Sequence, residues 1–185
     1  MERIAEASPG PRARTTGVVY LLYFLTAISG EVFVGQGRLV LYDAVNLVSH
    51  AFYIALTLLF FFLFKPVNKS LSLLAALFGL LGCANDVRGL FHLPPHKINS
   101  LVFFGPYCLL LGFLIFRSNF LPRILGALMM LAGLGWLIFL SPLANHLSAY
   151  LKVLGFLAEL SLCLWLLVMG VNIQRWKEQT SAAVE

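Results

Sequence analysis

The sequence predicts an all-α fold: a polytopic membrane helix bundle with six transmembrane helices and both termini cytoplasmic. Three observations carry this. First, 60% of the 185 residues are hydrophobic and only 11% are charged, where soluble domains run at about 45–50% and about 25%. A soluble fold of this size has too little interior to hide so much apolar surface, whereas lipid solvates apolar faces that point outward. Second, apolar residues fall into stretches near the ~20 residues that cross a ~30 Å hydrocarbon core. Third, the cations concentrate at alternate ends of those stretches.

The six stretches are residues 17–35, 44–64, 70–91, 99–116, 121–140 and 148–171. The expected organisation is a polar cytoplasmic tail over 1–16, a transmembrane domain over 17–172 and a second polar cytoplasmic tail over 173–185. The first stretch, "GVVYLLYFLTAISGEVFVG", exceeds the apolar run of a secretory signal and follows a long polar segment, so it is expected to stay as a helix. "KPVNKS" (65–70) separates the second and third stretches. Pro66 cannot continue a helix interior, and Asn68 or Ser70 suits the next N-cap. "RSNFLPR" (117–123) does the same between the fourth and fifth, with Pro122 near the new first turn. Short connections make sequence neighbours antiparallel. Trp136 and Trp176 are expected at the two membrane interfaces. Gly126, Gly133 and Gly135 are expected to be close-packing positions.

Counting cations orients the bundle. Nine fall on the side of the N-terminus: Arg3, Arg12, Arg14, Lys65, Lys69, Arg117, Arg123, Arg175 and Lys177. Four fall opposite: Arg38, Arg88, Lys97 and Lys152. That side is expected to be the cytoplasm, and the compartment the bacterial inner membrane. The net charge of +5 is explained by these helix ends. No basic stripe, base-stacking motif or Gly-rich phosphate loop points to nucleic acid. Cys83, Cys108 and Cys163 lie in apolar runs without CxxC spacing and are expected to be buried thiols.

"LFKPVNKSLSLLAALFGLLG" (63–82) and "IFRSNFLPRILGALMMLAGLG" (115–135) share an outline of apolar helix, basic turn and apolar helix rich in small residues. The stretches "LFKPVNKSLSLLAAL" (63–77), "GPYCLLLGFLIFRSNFLPRILGALMMLAGLGWLI" (105–138) and "ELSLCLWLLVMGVNIQRW" (159–176) resemble the bacterial membrane family catalogued as domain of unknown function 4386. The resemblance spans roughly residues 50–175 and implies a small multi-pass membrane protein. It implies no activity. The outer loops after the first and third helices look shorter here than in the family. Tyr107 stands where the family resemblance leads one to expect His, so a role for that His does not carry over to this chain.

An ionisable group within a membrane is the strongest functional clue of this protein class. At about 1.5 Å per residue from each inner helix end, Glu31, His50, Asp86 and Glu159 all fall roughly 20–24 Å up. This predicts one polar layer built from four helices. Asp43, Asn46 and His50 share a face at i, i+3, i+7, as do Lys152, Gly155, Glu159 and Cys163. Tyr23, Thr26 and Gly30 form a small polar stripe. Arg88 is two residues from Asp86 and points to a different face, toward headgroups or a cavity mouth. The opposing reading is that the outer charges snorkel to the surface. Glu159, short and flanked by apolar residues, must be protonated, paired or facing a wet cavity.

No cofactor or metal is expected. Pro94 and Pro95 interrupt "HLPPHK" and remove the i, i+4 geometry that would make His92 and His96 a helical metal pair. A haem would need a second deep His, and adjacent Ser49 and His50 lie on different faces. Three roles remain. The first is holding a proton, cation or small ligand through Glu159, His50, Asp86, Glu31, Arg88, Asp43 and Asn46. The second is a structural or accessory protein whose polar layer only specifies packing. The third and least favoured is an enzyme on a lipid-soluble substrate. Expected partners are the bilayer, a small molecule or cation, and a second copy or another membrane protein.

Overall fold

The computed structural model describes residues 9–34, 39–91 and 99–182. Those residues are helical with no strand: α1 (Pro9–Ser29) running into a π-helical turn (Gly30–Val34), α2 (Leu39–Phe64), α3 (Lys69–Leu90), α4 (Leu101–Arg117), α5 (Arg123–Ile138), α6 (Ala144–Val168) and α7 (Ile173–Ala182). Each of the first five helices packs on the next in sequence, and α6 returns to pack on α1. The result is a closed ring of six antiparallel neighbours. The alternation is visible in the pairs that meet: Ser72 with Phe61, Asp86 with His50, Gly82 with Phe104, and Phe24 with Phe156.

Four helices are long and apolar enough to cross a membrane: Pro9–Val32, Val40–Phe64, Lys69–Leu90 and His146–Val168. Helices α4 and α5, at 17 and 16 residues, are shorter than their apolar stretches. Ser118 stops α4 by turning extended, with its Oγ donating to the Ile115 carbonyl at 2.8 Å. Beyond Ile138, Ser141 Oγ donates to the Ile138 carbonyl at 2.7 Å and Pro142 follows. Large apolar side chains stay exposed around the ring, including Leu25, Phe62, Leu77, Phe116, Leu131 and Leu164. Such a contiguous apolar exterior fits a membrane protein.

The expected turn chemistry is present. Asn68 is extended, and its Oδ1 accepts from the Leu71 amide at 2.9 Å, capping α3. Two termini differ from expectation. Helix α1 begins at Pro9 because Ala13, Thr16, Gly17, Tyr20 and Phe24 form one buried stripe that carries it into the bundle. Residues 173–182 form helix α7, although the segment is polar. Gly170, at φ 67°, ends α6 in the left-handed conformation, and Asn172 Oδ1 accepts from the Arg175 amide at 3.1 Å to start α7. Trp176 is then buried, its Nε1 donating to the Leu63 carbonyl at 3.1 Å. It serves an otherwise open carbonyl in the last turn of α2. Of the two tryptophans expected at the interfaces, Trp176 is a core residue and Trp136 is half-buried against α6.

Helices α4 and α5 meet at backbone distance. A Cβ at Gly126 would sit 2.6 Å from the Gly112 carbonyl oxygen, and one at Gly133 would sit 2.8 Å from that of Gly105. Gly135, in contrast, would meet only the side chains of Leu151 at 3.4 Å and Leu154 at 3.9 Å, ordinary contacts. Gly126→Ala is therefore expected to destabilise the fold by about 1–3 kcal/mol through overpacking. Gly89, with nothing within 4 Å of its would-be Cβ, is expected to gain about 0.5–1 kcal/mol as Ala. Unfolding of the purified protein in mixed micelles of rising dodecyl sulfate fraction measures both. Equal effects at the two positions would refute the close-packed seam.

Candidate functional site

At the end of the ring away from α7 lies a partly open cavity of about 260 Å³. All six ring helices line it, at helical spacings that mark their inward faces. Tyr23 and Ala27 come from α1, and Asn46, Ser49, His50 and Tyr53 from α2. Asp86 comes from α3, Phe104 and Cys108 from α4, Trp136 from α5 and Glu159 from α6. Two of these are acidic, and none of the described lining residues is Lys or Arg.

Glu159 stands at one side, its Oε2 accepting from the buried Tyr20 hydroxyl at 3.1 Å. One turn away, a Cβ at Gly155 would lie 2.5 Å from Trp136 Cζ2, so the indole rests on the α6 backbone beside Glu159. Tyr23, Tyr53 and Phe104 form a row of edge-on rings, with centroids 4.9 and 5.4 Å apart. Below the cavity, Tyr20 meets Phe60 at 5.9 Å, Phe60 meets Phe64 at 6.1 Å and Phe64 meets Phe120 at 5.7 Å. These rings fill the half of the bundle nearer α7.

A second polar group sits on the other side. His50 Nδ1 lies 2.7 Å from the Asn46 carbonyl oxygen and Nε2 lies 3.4 Å from Asp86 Oδ2. Ser100 donates to Asp86 Oδ1, and Asn85 Nδ2 donates to Ser100 Oγ at 2.7 Å. A carbonyl oxygen only accepts, so His50 Nδ1 carries a proton. The His50–Asp86 hydrogen bond then needs one more proton, on Nε2 or on Oδ2. In either arrangement the pair is neutral as a unit.

Among the residues predicted for the site, Glu159, His50, Asp86 and Asn46 come together around the cavity. Glu31, Asp43 and Arg88 are not among its lining residues. Glu31 is exposed on the π turn, where its Oε1 accepts from the Tyr42 hydroxyl at 2.5 Å. The reason is register. Gly17 of α1 meets Leu167 of α6 at backbone distance. From there Glu159 is about two turns up and Glu31 about four, roughly 9 Å higher at 1.5 Å per residue. Taking the inner ends of the apolar stretches as level hid that offset. Arg88 is exposed at the end of α3. "HLPPHK" (92–97) and Arg38 lie outside the described residues. Among the described residues no three of His, Cys, Asp and Glu gather as metal ligands. Lys152 is exposed, and Thr26 bonds its own helix at the Leu22 and Tyr23 carbonyls.

Sequence reading missed Tyr20, Tyr53, Ser100, Phe104 and Trp136 as site residues. Tyr53 and Phe104 had a signal, since each falls a helical turn from another inward residue. Tyr107 is buried outside the cavity, and its hydroxyl has no hydrogen-bond partner among the described residues.

Residues 98–170 match the family described as "Domain of unknown function (DUF4386)". An uncharacterized protein of Archaeoglobus fulgidus is 32% identical over 121 residues, covering 60% of this chain and 72% of that protein. No solved structure matches the chain.

The His50 geometry has a direct check. In protein labelled with ¹⁵N-histidine, the His50 Nδ1 is expected to show a bonded proton throughout the pH range in which the fold persists. A His50 resonance with bare Nδ1 would contradict the assignment.

Proposed function

The chain belongs to the DUF4386 family, and we propose that it is a six-span protein of the cytoplasmic membrane that binds a small ligand in its central cavity. The supporting observation is that all six ring helices contribute to one cavity that carries two acidic side chains and no Lys or Arg among its described lining residues. A packing device needs polar groups that satisfy one another. Here Glu159 has Tyr20 as its hydrogen-bond partner and lines the cavity.

Orientation follows from the positive-inside rule. Arg12, Arg14, Lys65, Lys69, Arg117, Arg123, Arg175 and Lys177 are on the α7 end, so that end is cytoplasmic and the cavity opens outward. Both termini are then inside, in the inner membrane of a bacterium. Helices α4 and α5 complete the six crossings with help from their flanking turns, since local thinning accommodates a short span.

Accessibility tests this reading. Ala27 lines the cavity and is half-buried. Ala27→Cys is expected to react with a membrane-impermeant thiosulfonate added outside the cell, as is the exposed Lys152→Cys. Labelled Lys152→Cys with inert Ala27→Cys would sink the outward-open cavity. Glu159→Gln keeps the side chain's shape and an acceptor for Tyr20, so its melting temperature in detergent is expected to stay within a few degrees of the parent. Loss of folded protein would favour a purely structural polar layer.

A further inference from the structure

We propose that the cavity ligand is a monovalent organic cation that exchanges with one proton on Glu159. This rests on the ligand-binding reading above and names its ligand class.

The charge follows from the groups facing the cavity. His50 of α2 and Asp86 of α3 share one proton and form a neutral pair, as their hydrogen bonds require. Tyr20 and Tyr23 of α1, Tyr53 of α2 and Cys108 of α4 are neutral near pH 7. Helix α5 presents Trp136, which does not titrate. Glu159 of α6 is the remaining acid. One carboxylate without a cationic partner calls for one positive charge, because an isolated charge at such depth is costly. An empty cavity supplies it as a proton on Glu159. A bound cation supplies it instead, and the proton leaves: the protonated acid plus the cation gives a carboxylate–cation pair plus one free proton.

The chemical class follows from the walls. Trp136 lies on Gly155, one helical turn from Glu159, and Tyr23, Tyr53 and Phe104 supply further rings. Aromatic faces attract a diffuse, weakly hydrated positive charge such as a quaternary ammonium. A metal ion wants several oxygen or nitrogen ligands at short range, and among the described residues no three of His, Cys, Asp and Glu gather to hold one. Size agrees as well. A volume of about 260 Å³ equals roughly nine waters at about 30 Å³ each. That is room for an ammonium centre bearing a few short alkyl groups.

The test uses the purified full chain in detergent under weak buffering, with tetramethylammonium, tetraethylammonium and benzyltrimethylammonium chlorides as probes. At least one is expected to change tryptophan fluorescence saturably and release close to one proton per cation bound. Potassium and magnesium chlorides at equal ionic strength are expected to do neither. Glu159→Gln is expected to weaken binding at least tenfold and abolish proton release. Trp136→Phe is expected to remove the fluorescence change and weaken binding by calorimetry, while one proton still leaves per cation bound. No binding by all three ammonium ions, equal binding by potassium, or binding without proton release would overturn the proposal. Ala27→Cys separates the two levels. If it labels from outside and no ammonium ion protects it, the ligand class fails while the open cavity stands; if it never labels, the cavity reading itself fails.

Discussion

Closing a ring of six helices requires the first and last to touch, and Gly17 lets them do so. A Cβ there would sit 2.7 Å from the Leu167 backbone nitrogen, so α1 and α6 pack main chain to main chain. Cys163 Sγ adds a weak contact to the Gly17 carbonyl at 3.7 Å. Above this point the helices carry Tyr20 and Glu159 into contact. The cavity exists because the ring is closed, and the register of Glu159 is set by where it closes.

The two halves of the ring interior differ in kind. Toward α7 it is filled by Tyr20, Phe60, Phe64 and Phe120, with Leu111, Leu114 and Leu166 almost fully buried around them. Away from α7 the filling stops and polar side chains appear at the ends of the same helices. Nothing in lipid bonds those groups, so their partners must come from the ring or from whatever enters it. His50 and Asp86 find partners in the ring. Glu159 finds Tyr20 and the cavity. This asymmetry is the physical basis for placing ligand chemistry at Glu159.

Much of this was legible from residues alone. Apolar length announced the helices, Pro66 and Asn68 marked the turn between α2 and α3, and Gly126 and Gly133 marked a close seam. The inward faces of α2 and α6 could be read from i, i+3 and i+7 spacing. Relative height was harder, because it depends on which residues of two helices meet, and Gly17 against Leu167 is invisible without tertiary contacts. That is why Glu31 was grouped with Glu159. Helix α7 was missed because its sequence is polar, and its docking depends on tertiary partners: the Leu63 carbonyl for Trp176, Asn119 for Arg175 and Gln179, and Gly10 for Ile173. Tyr20 looked like one more aromatic in an apolar run, and only the partner opposite gives its hydroxyl a purpose.

The glycine seam between α4 and α5 also has a mechanical meaning. Four glycines, two per helix and two turns apart, place carbonyls and amides of the facing helix where side chains would otherwise separate them. Such a hairpin behaves as a single broad stave. If the barrel widens to admit or release a guest, the strain goes to joints cushioned by side chains, such as Gly82 on the Phe104 ring and Gly155 on the Trp136 ring. Both cushions are walls of the cavity, so what occupies it and how the barrel flexes act on the same two rings.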